Sequence, residues 1–419
     1  MSSRQTVVRR LSTLAPASPV PPPTSASSSM IPRPLSPTPA TSAPAASPSA
    51  SAPPPTSASR TYHKISTGFK LPAPLHSSPS MMLLNDAAEA LSSNRSNFQR
   101  MKVRTTTQVF EILKPASISA AAQLAVFKPA TDEEDGFVVP LSTSSSTAAS
   151  SGSLWFPDNA TTRFFHGPEE RAVRERAAYV LDKAYEGFSR VPATVLAQVD
   201  SSHGSLQAFI NNLGSVEDLP DLALDTESVQ RVAMLDCRIF NLDRHSGNVL
   251  VVKDEGQTQH GLIPIDHSLS LPPWYDLSGA WFDWAYLPCA SAPLTEAVRA
   301  HIAELDVARD AERLAELGLQ PECIATNTIA TMTLQAMAQH PHSGGEEVTL
   351  KELSEMFQRP FPKGHLQHDD KLSPLEELVK LASATAGANP TTDPEAFSQA
   401  FANALDDFIP SRKWREYVI

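Results

Sequence analysis

Residues Thr226–Ile265 read TESVQRVAMLDCRIFNLDRHSGNVLVVKDEGQTQHGLIPI, and Asp266 follows directly. The first part, Thr226–Ile239, predicts a helix. Thr226 suits the N-cap, and Val229, Val232, Ala233 and Leu235 supply apolar surface. A polar stretch, NLDRHSGN, interrupts the pattern. Two short apolar runs then flank a Gly-bearing polar turn: Val249–Val252 and Leu262–Ile265. Runs of this kind around such a turn predict a β-hairpin. A hairpin brings its two open ends together, so Asn248, just before the first strand, and Asp266, just after the second, are expected side by side.

That juxtaposition carries chemistry. Phosphoryl transfer asks a protein for a cation on the phosphates, oxygen ligands for Mg²⁺, a carboxylate near the attacking hydroxyl and a closed cleft. Asp243 and Asn248 are separated by five positions after a helix, the spacing of a kinase catalytic loop. Asn248 and Asp266 together offer one amide oxygen and one carboxylate, which suit Mg²⁺. Taken alone, DRHSGN also reads as a polar turn whose Asp, Ser and Asn bond their own backbone. Lys128 ends an apolar strand run, AVFK, and reads as either an edge residue or a partly buried cation with a partner. Glu175 is a candidate partner, because it lies in Glu169–Ala184, whose strong helix formers predict a helix. A metal phosphohydrolase built on Asp243, His245, Asp266 and His267 is a different class of reading; it needs further ligands at close spacing.

Outward from this centre the chain changes character. The first 60 of the 419 residues hold 14 of the 37 prolines, amid Ser, Ala and Thr. Such composition predicts disorder, and a tail is expected over 1–100, with a short helix near Met81–Leu91. Gln108–Leu113, Gln123–Lys128 and Val191–Val199 predict strands, and Ser205–Asn211 a short helix. Leu141–Ser153 is a Ser-rich insertion. Helices dominate after Leu294, with capping boxes at Thr349-x-x-Glu352 and Ser373-x-x-Glu376 and a start at Asp393-Pro394. The expected fold is therefore α+β and two-lobed: a small β-rich N-lobe over 101–200 and a larger helical C-lobe over 201–419.

Charge narrows the function classes. The formal net charge is −12, and the first acid is Asp86, so the body is strongly acidic. An acidic body disfavours nucleic acid and broad adsorption to anionic membranes. Three dispersed cysteines, Cys237, Cys289 and Cys323, form no CxxC pair and suggest a reducing, cytoplasmic setting. No apolar run reaches the roughly 20 residues of a transmembrane helix. The start, MSSRQTVVRRLSTLAP, has no secretory h-region; it reads as a solvated tail or, being Arg- and Ser-bearing, as an organelle transit peptide. Arg9-Arg10-Leu11-Ser12 resembles a basophilic kinase site.

LDCRIFNLDRHSGNVLV, LIPIDHSLSLP and WFDWAYLPCASAPL, with VFKPATDEED, RERAAYVLD, VPATVL, HGSLQAF and TLKELSEMF, resemble the phosphatidylinositol 4-kinase gamma group of the phosphatidylinositol 3-/4-kinase superfamily. The blocks occur in family order over roughly residues 105–390. The resemblance implies a protein-kinase-like catalytic fold using ATP and Mg²⁺. It implies Lys128 as the ATP-phosphate lysine and Glu175 as its ion-pair partner. Asp243 matches the catalytic-loop aspartate, and His245 the loop histidine that assists proton or charge handling. Asn248 and Asp266 match the metal ligands, and Asp236 and Arg238 architectural positions. A hinge at Ala197–Asp200 would meet adenine, with Gln198 and Val199 as contacts. Two departures stand out: Lys114–Ala122, KPASISAAA, has no Gly where the family turns over the phosphates, and the Ser-rich insertion is long. The implied acceptor is phosphatidylinositol, with peripheral membrane contact. A protein hydroxyl is the alternative, and a catalytically impaired scaffold a further one. His267–Pro288 contains no Lys or Arg, so an acceptor with several phosphates finds no cation there.

Overall fold

The computed structural model describes residues 60–65, 78–94, 97–101, 109–114, 123–130, 168–254, 256, 258–339, 347–359 and 371–411. The small lobe consists of β1 (His63–Ile65), α1 (Pro79–Ser93), β2 (Phe98–Arg100), β3 (Phe110–Leu113), β4 (Gln123–Pro129), α2 (Pro168–Lys183), β5 (Thr194–Val199) and β6 (Ser202–Ala208). Its sheet runs β1-β5-β6-β4-β3-β2. All neighbours are antiparallel except β1 and β5.

Alternation on β4 is what aims Lys128. Ala125, Phe127 and Pro129 are buried, while Leu124, Val126 and Lys128 take the other face. Across from Lys128 lies Ser205 of β6, and neighbouring Gly204 has no room for a side chain: a Cβ there would sit 2.2 Å from the Lys128 carbonyl oxygen. Helix α1 packs Leu83, Leu84, Ala87, Ala88 and Leu91 into a core with Ile65, Ile112, Phe127 and Leu206.

Three expectations are corrected here. The tail does not extend to residue 100, because β1 and α1 are built into the small lobe. Ser205–Asn211 is not a helix: residues up to Ala208 form β6, paired with both β4 and β5. The lobe boundary moves accordingly. Phe209–Asn212 link the sheets, and Leu213 N already donates to Val251 O in the second. The Ser-rich stretch 141–153, most of the glycine-free segment and the Arg9–Ser12 motif lie outside the described residues.

The large lobe opens with β7 (Gly214–Ser215), α3 (Thr226–Arg238), β8 (Val249–Val252) and β9 (Gly261–Pro264); the sheet order is β7-β8-β9. Asp225, one residue earlier than expected, caps α3 by accepting from Ser228 N at 2.7 Å. Then follow α4 (Glu296–Glu304), α5 (Val307–Glu316), α6 (Pro321–Gln339), α7 (Leu350–Phe357), α8 (Pro374–Ala386) and α9 (Pro394–Ser411). Both capping boxes form, on α7 and α8. Val232, Phe240, Ile329, Phe357 and Phe401 belong to one large core that seats α3 against α6, and α6 against α9. Among the described residues no helix is long and apolar enough to cross a membrane.

Candidate active site

The β8–β9 hairpin does what its sequence implies. Val249 faces Pro264, and Ile265 N donates to Asn248 O at 3.0 Å, so Asp266 emerges beside Asn248. Asp266 has φ +58°, the left-handed region, which costs an L-residue roughly 1–2 kcal/mol and which a short polar side chain tolerates best. Its Oδ1 lies 3.2 Å from Lys128 Nζ and accepts from Ser268 Oγ at 3.1 Å.

Lys128 also donates to Glu175 Oε1 at 2.6 Å. The cation from β4 is thus held between α2 and the exit of β9, a contact that spans both lobes. Burial works against its charge, but Asp266 and Glu175 outweigh that and hold its pKa above the ordinary lysine value. Glu175 is 2% exposed; burial alone would raise its pKa, yet Lys128 and His267 bring it below the usual carboxylate range. His267 is fully buried, with Nδ1 3.5 Å from Glu175 Oε2.

The loop between α3 and β8 rests on a buried guanidinium. Arg244 Nε donates to both carboxylate oxygens of Asp236 at 2.9 Å. Its Nη1 donates to Asn248 O at 2.5 Å and Ile265 O at 2.7 Å. Asp236 is completed by Trp284 Nε1 at 3.1 Å and Asn241 Nδ2 at 3.1 Å. One buried ion pair therefore ties together the peptides flanking Asp243, Asn248 and Asp266. Asp243 sits 4.0 Å from His245 Nε2, between Oδ2 and the ring. Burial raises the Asp243 pKa; His245 opposes the rise and Asp266 adds to it.

A cavity of about 320 Å³ lies between the lobes. Lys128, Glu175, Asn248 and Asp266 form its polar end, and Val126, Phe209, Ile210 and Leu250 are among its apolar walls. Gln198 and Val199 do not reach it. They belong to β5, where they pair with His203 and Ser202 of β6 and with Lys64 and Ile65 of β1. The chain passes the cavity one strand later, at Gln207–Ile210, so the expected hinge at Ala197–Asp200 is instead the end of β5 and the start of its turn into β6. Arg244 and Asp283 were missed as organisers of the loop. Their partners come from distant sequence, although an Asp eight positions before an Arg in a polar loop is a signal for the first.

The donor set fits a hard cation. Asn248 Nδ2 donates to Asp243 O at 3.2 Å, which leaves Oδ1 for a metal beside the Asp266 carboxylate. Mg²⁺ bound there would neutralise phosphate charge. Among the described residues no group of three or more His, Cys, Asp or Glu side chains is arranged to hold a metal ion, and His267 faces Glu175 rather than His245. The phosphohydrolase reading loses its ligand set.

A β-sheet lobe and a helical lobe around an ion-paired lysine, with a loop Asp and Asn and a post-hairpin Asp, define the protein-kinase-like fold. Residues 168–342 match the sequence model of the family described as "Phosphatidylinositol 3- and 4-kinase". It is similar to phosphatidylinositol 4-kinase gamma 4 of Oryza sativa subsp. japonica, 39% identical over 186 residues, which cover 41% of this chain and 32% of the relative. It is also similar to phosphatidylinositol 4-kinase gamma 3 of Arabidopsis thaliana, 34% identical over 276 residues, 58% of this chain and 45% of the relative. Gamma 8 of Arabidopsis thaliana is 33% identical over 254 residues, 55% and 45% of the respective lengths. The matched segments thus span between about a third and a half of the relatives' length.

Proposed function

We propose that this protein transfers the γ-phosphate of ATP to an inositol hydroxyl of phosphatidylinositol. The observation that carries the reading is Lys128 Nζ, held 2.6 Å from Glu175 and 3.2 Å from Asp266 at the polar end of the interlobe cavity. Lys128 would hold ATP phosphate oxygens, and the apolar walls would take the adenine. Asn248 and Asp266 would hold Mg²⁺. Asp243 would accept the proton of the acceptor hydroxyl, with His245 beside it.

The acceptor side supports a lightly charged headgroup. Glu217, Asp221 and Asp283 line a second cavity, about 970 Å³, next to His245. Phosphate monoesters on the inositol ring would be repelled there, whereas phosphatidylinositol brings only a phosphodiester. Tyr286, 67% exposed, and its neighbour Trp281 give that side an aromatic surface suited to a lipid headgroup region. The same carboxylates also favour a second reading, a basic peptide hydroxyl.

The test is incubation with labelled Mg-ATP and vesicles of phosphatidylinositol, of its 4-phosphate, and, in parallel, a basic protein. Label on phosphatidylinositol alone supports the proposal. Label on the protein alone replaces it with a protein kinase. ATP binding without transfer to any acceptor leaves a scaffold.

A further inference from the structure

Asp283 makes a connection that the reaction as proposed does not use. Its Oδ2 accepts from Ser246 N at 2.7 Å and Ser246 Oγ at 2.9 Å, and its Oδ1 accepts from Trp281 Nε1 at 2.7 Å. Its own N–H donates to Arg244 O at 3.0 Å, and Arg244 N donates to Trp281 O at 3.2 Å. The segment around Phe282 therefore runs parallel to the loop, as a one-residue bridge with Arg244. Ser246 opens the single 3-10 turn Ser246–Asn248, so the orientation of its peptide sets where Asn248 projects.

We propose that Asp283 is a positioning residue for phosphotransfer: it fixes the Asp243–Asn248 loop from the acceptor side, as Arg244 fixes it from the core. This rests on the kinase reading above. Both carboxylate oxygens are committed to three donors, so Asp283 is not available as the base. It is absent from the walls of the nucleotide cavity and lines the acceptor-side cavity instead. Its action on the reaction must then pass through Ser246. A carboxylate accepting N–H and O–H bonds is a stronger restraint than a neutral acceptor. Misplacing reacting groups by about 1 Å is enough to cost on the order of 100-fold in rate. Asp283 is also only partly buried, so water can solvate the Ser246 amide when the carboxylate is removed, and the fold, pinned by buried Arg244 and Asp236, persists.

The experiment compares the full-length wild type with Asp283→Ala, Asp283→Asn and Ser246→Ala, using Mg-ATP and phosphatidylinositol vesicles. It also follows amide hydrogen exchange of the 243–248 segment without substrate. For Asp283→Ala, kcat is expected to fall about 100-fold with KM for Mg-ATP within about threefold, and exchange at the loop to quicken. Asp283→Asn keeps one acceptor oxygen and recovers part of the rate. Ser246→Ala keeps the amide bond to Oδ2 and loses less. A wild-type kcat or unchanged loop exchange in Asp283→Ala overturns the assignment. So does a parallel loss of kcat, nucleotide affinity and melting temperature, the mark of a merely structural residue. A wild type inert toward every acceptor defeats the proposed function instead, and the exchange comparison then still decides what Asp283 does to the loop.

Discussion

Lys128 of the small lobe and Asp266 of the large lobe meet at 3.2 Å, and the second partner of that lysine, Glu175, is almost wholly shielded from water. The lysine is therefore a fastener between lobes as well as the proposed phosphate ligand. Removing it leaves a buried carboxylate without its cation, which costs about 3–5 kcal/mol where such pairs are broken on one side. Lys128→Met is expected to lower unfolding free energy by an amount in that range and to abolish nucleotide binding. Lys128→Met combined with Glu175→Gln is expected to regain much of the stability but none of the binding. Denaturant melts and ATP titrations of the two variants check both halves; equal stability losses would contradict the pairing.

Asp266→Asn removes a full negative charge at nearly constant size. ATP affinity is expected to become far less dependent on Mg²⁺, and turnover to collapse. His267→Ala disturbs Glu175 but no proposed metal ligand, so Mg²⁺ dependence of binding should persist. Nucleotide titrations with and without Mg²⁺ distinguish the two, and loss of metal dependence only in the His267 variant would refute the assigned ligands.

Truncation separates the tail from the lobe. Each fully buried leucine contributes about 1.5–3 kcal/mol, and α1 buries Leu83, Leu84 and Leu91. Deleting residues 1–95 is therefore expected to lower the melting temperature by many degrees or prevent folding. Deleting residues 1–59 leaves β1 and α1 in place and is expected to change it little. Thermal melts of the two truncations give the answer directly.

His301 supplies a pH dependence. Its ring stacks on Phe188 at 3.8 Å between centroids, and burial, reinforced by Arg238 and Arg231, pushes its pKa down to about 4. Between that value and the unfolded value near 6.5 the unfolded chain binds the extra proton, so stability rises with pH. The contribution is complete above about pH 6.5 and is lost as pH falls through that window, by on the order of 2–3 kcal/mol. His301→Phe keeps the stack and removes the titration. Its unfolding free energy should fall less than the wild type's between pH 7 and pH 4.5, and identical slopes would disprove the linkage.

What was legible in sequence was local. The DRHSGN spacing and the hairpin periodicity placed Asn248 and Asp266 together, because a two-strand turn fixes its own ends. Lys128 was legible as the last charged residue of a strand. The hinge was not. VPATVLAQV and HGSLQAF are both compatible with strands, and the pairing of the second with both β4 and β5 is what shows that it belongs to the sheet. Helix α1 was legible as a short helix near Met81–Leu91, but its packing into the small lobe was not, because Pro- and Ser-rich sequence surrounds it. Arg244 and Asp283 hid because a guanidinium or carboxylate in a polar loop declares its partners only once the chain has folded.

The single guanidinium of Arg244, bonded to Asp236 and to the carbonyls of Asn248 and Ile265, gives the centre one shared point of failure. A lesion there would mimic a weak base, a lost amide ligand and a misdirected carboxylate at once. In a random-mutagenesis screen, Arg244 substitutions should cluster phenotypically with those at Asp243, Asn248 and Asp266 together. Second-site suppressors of any one of the latter three should fail to rescue them.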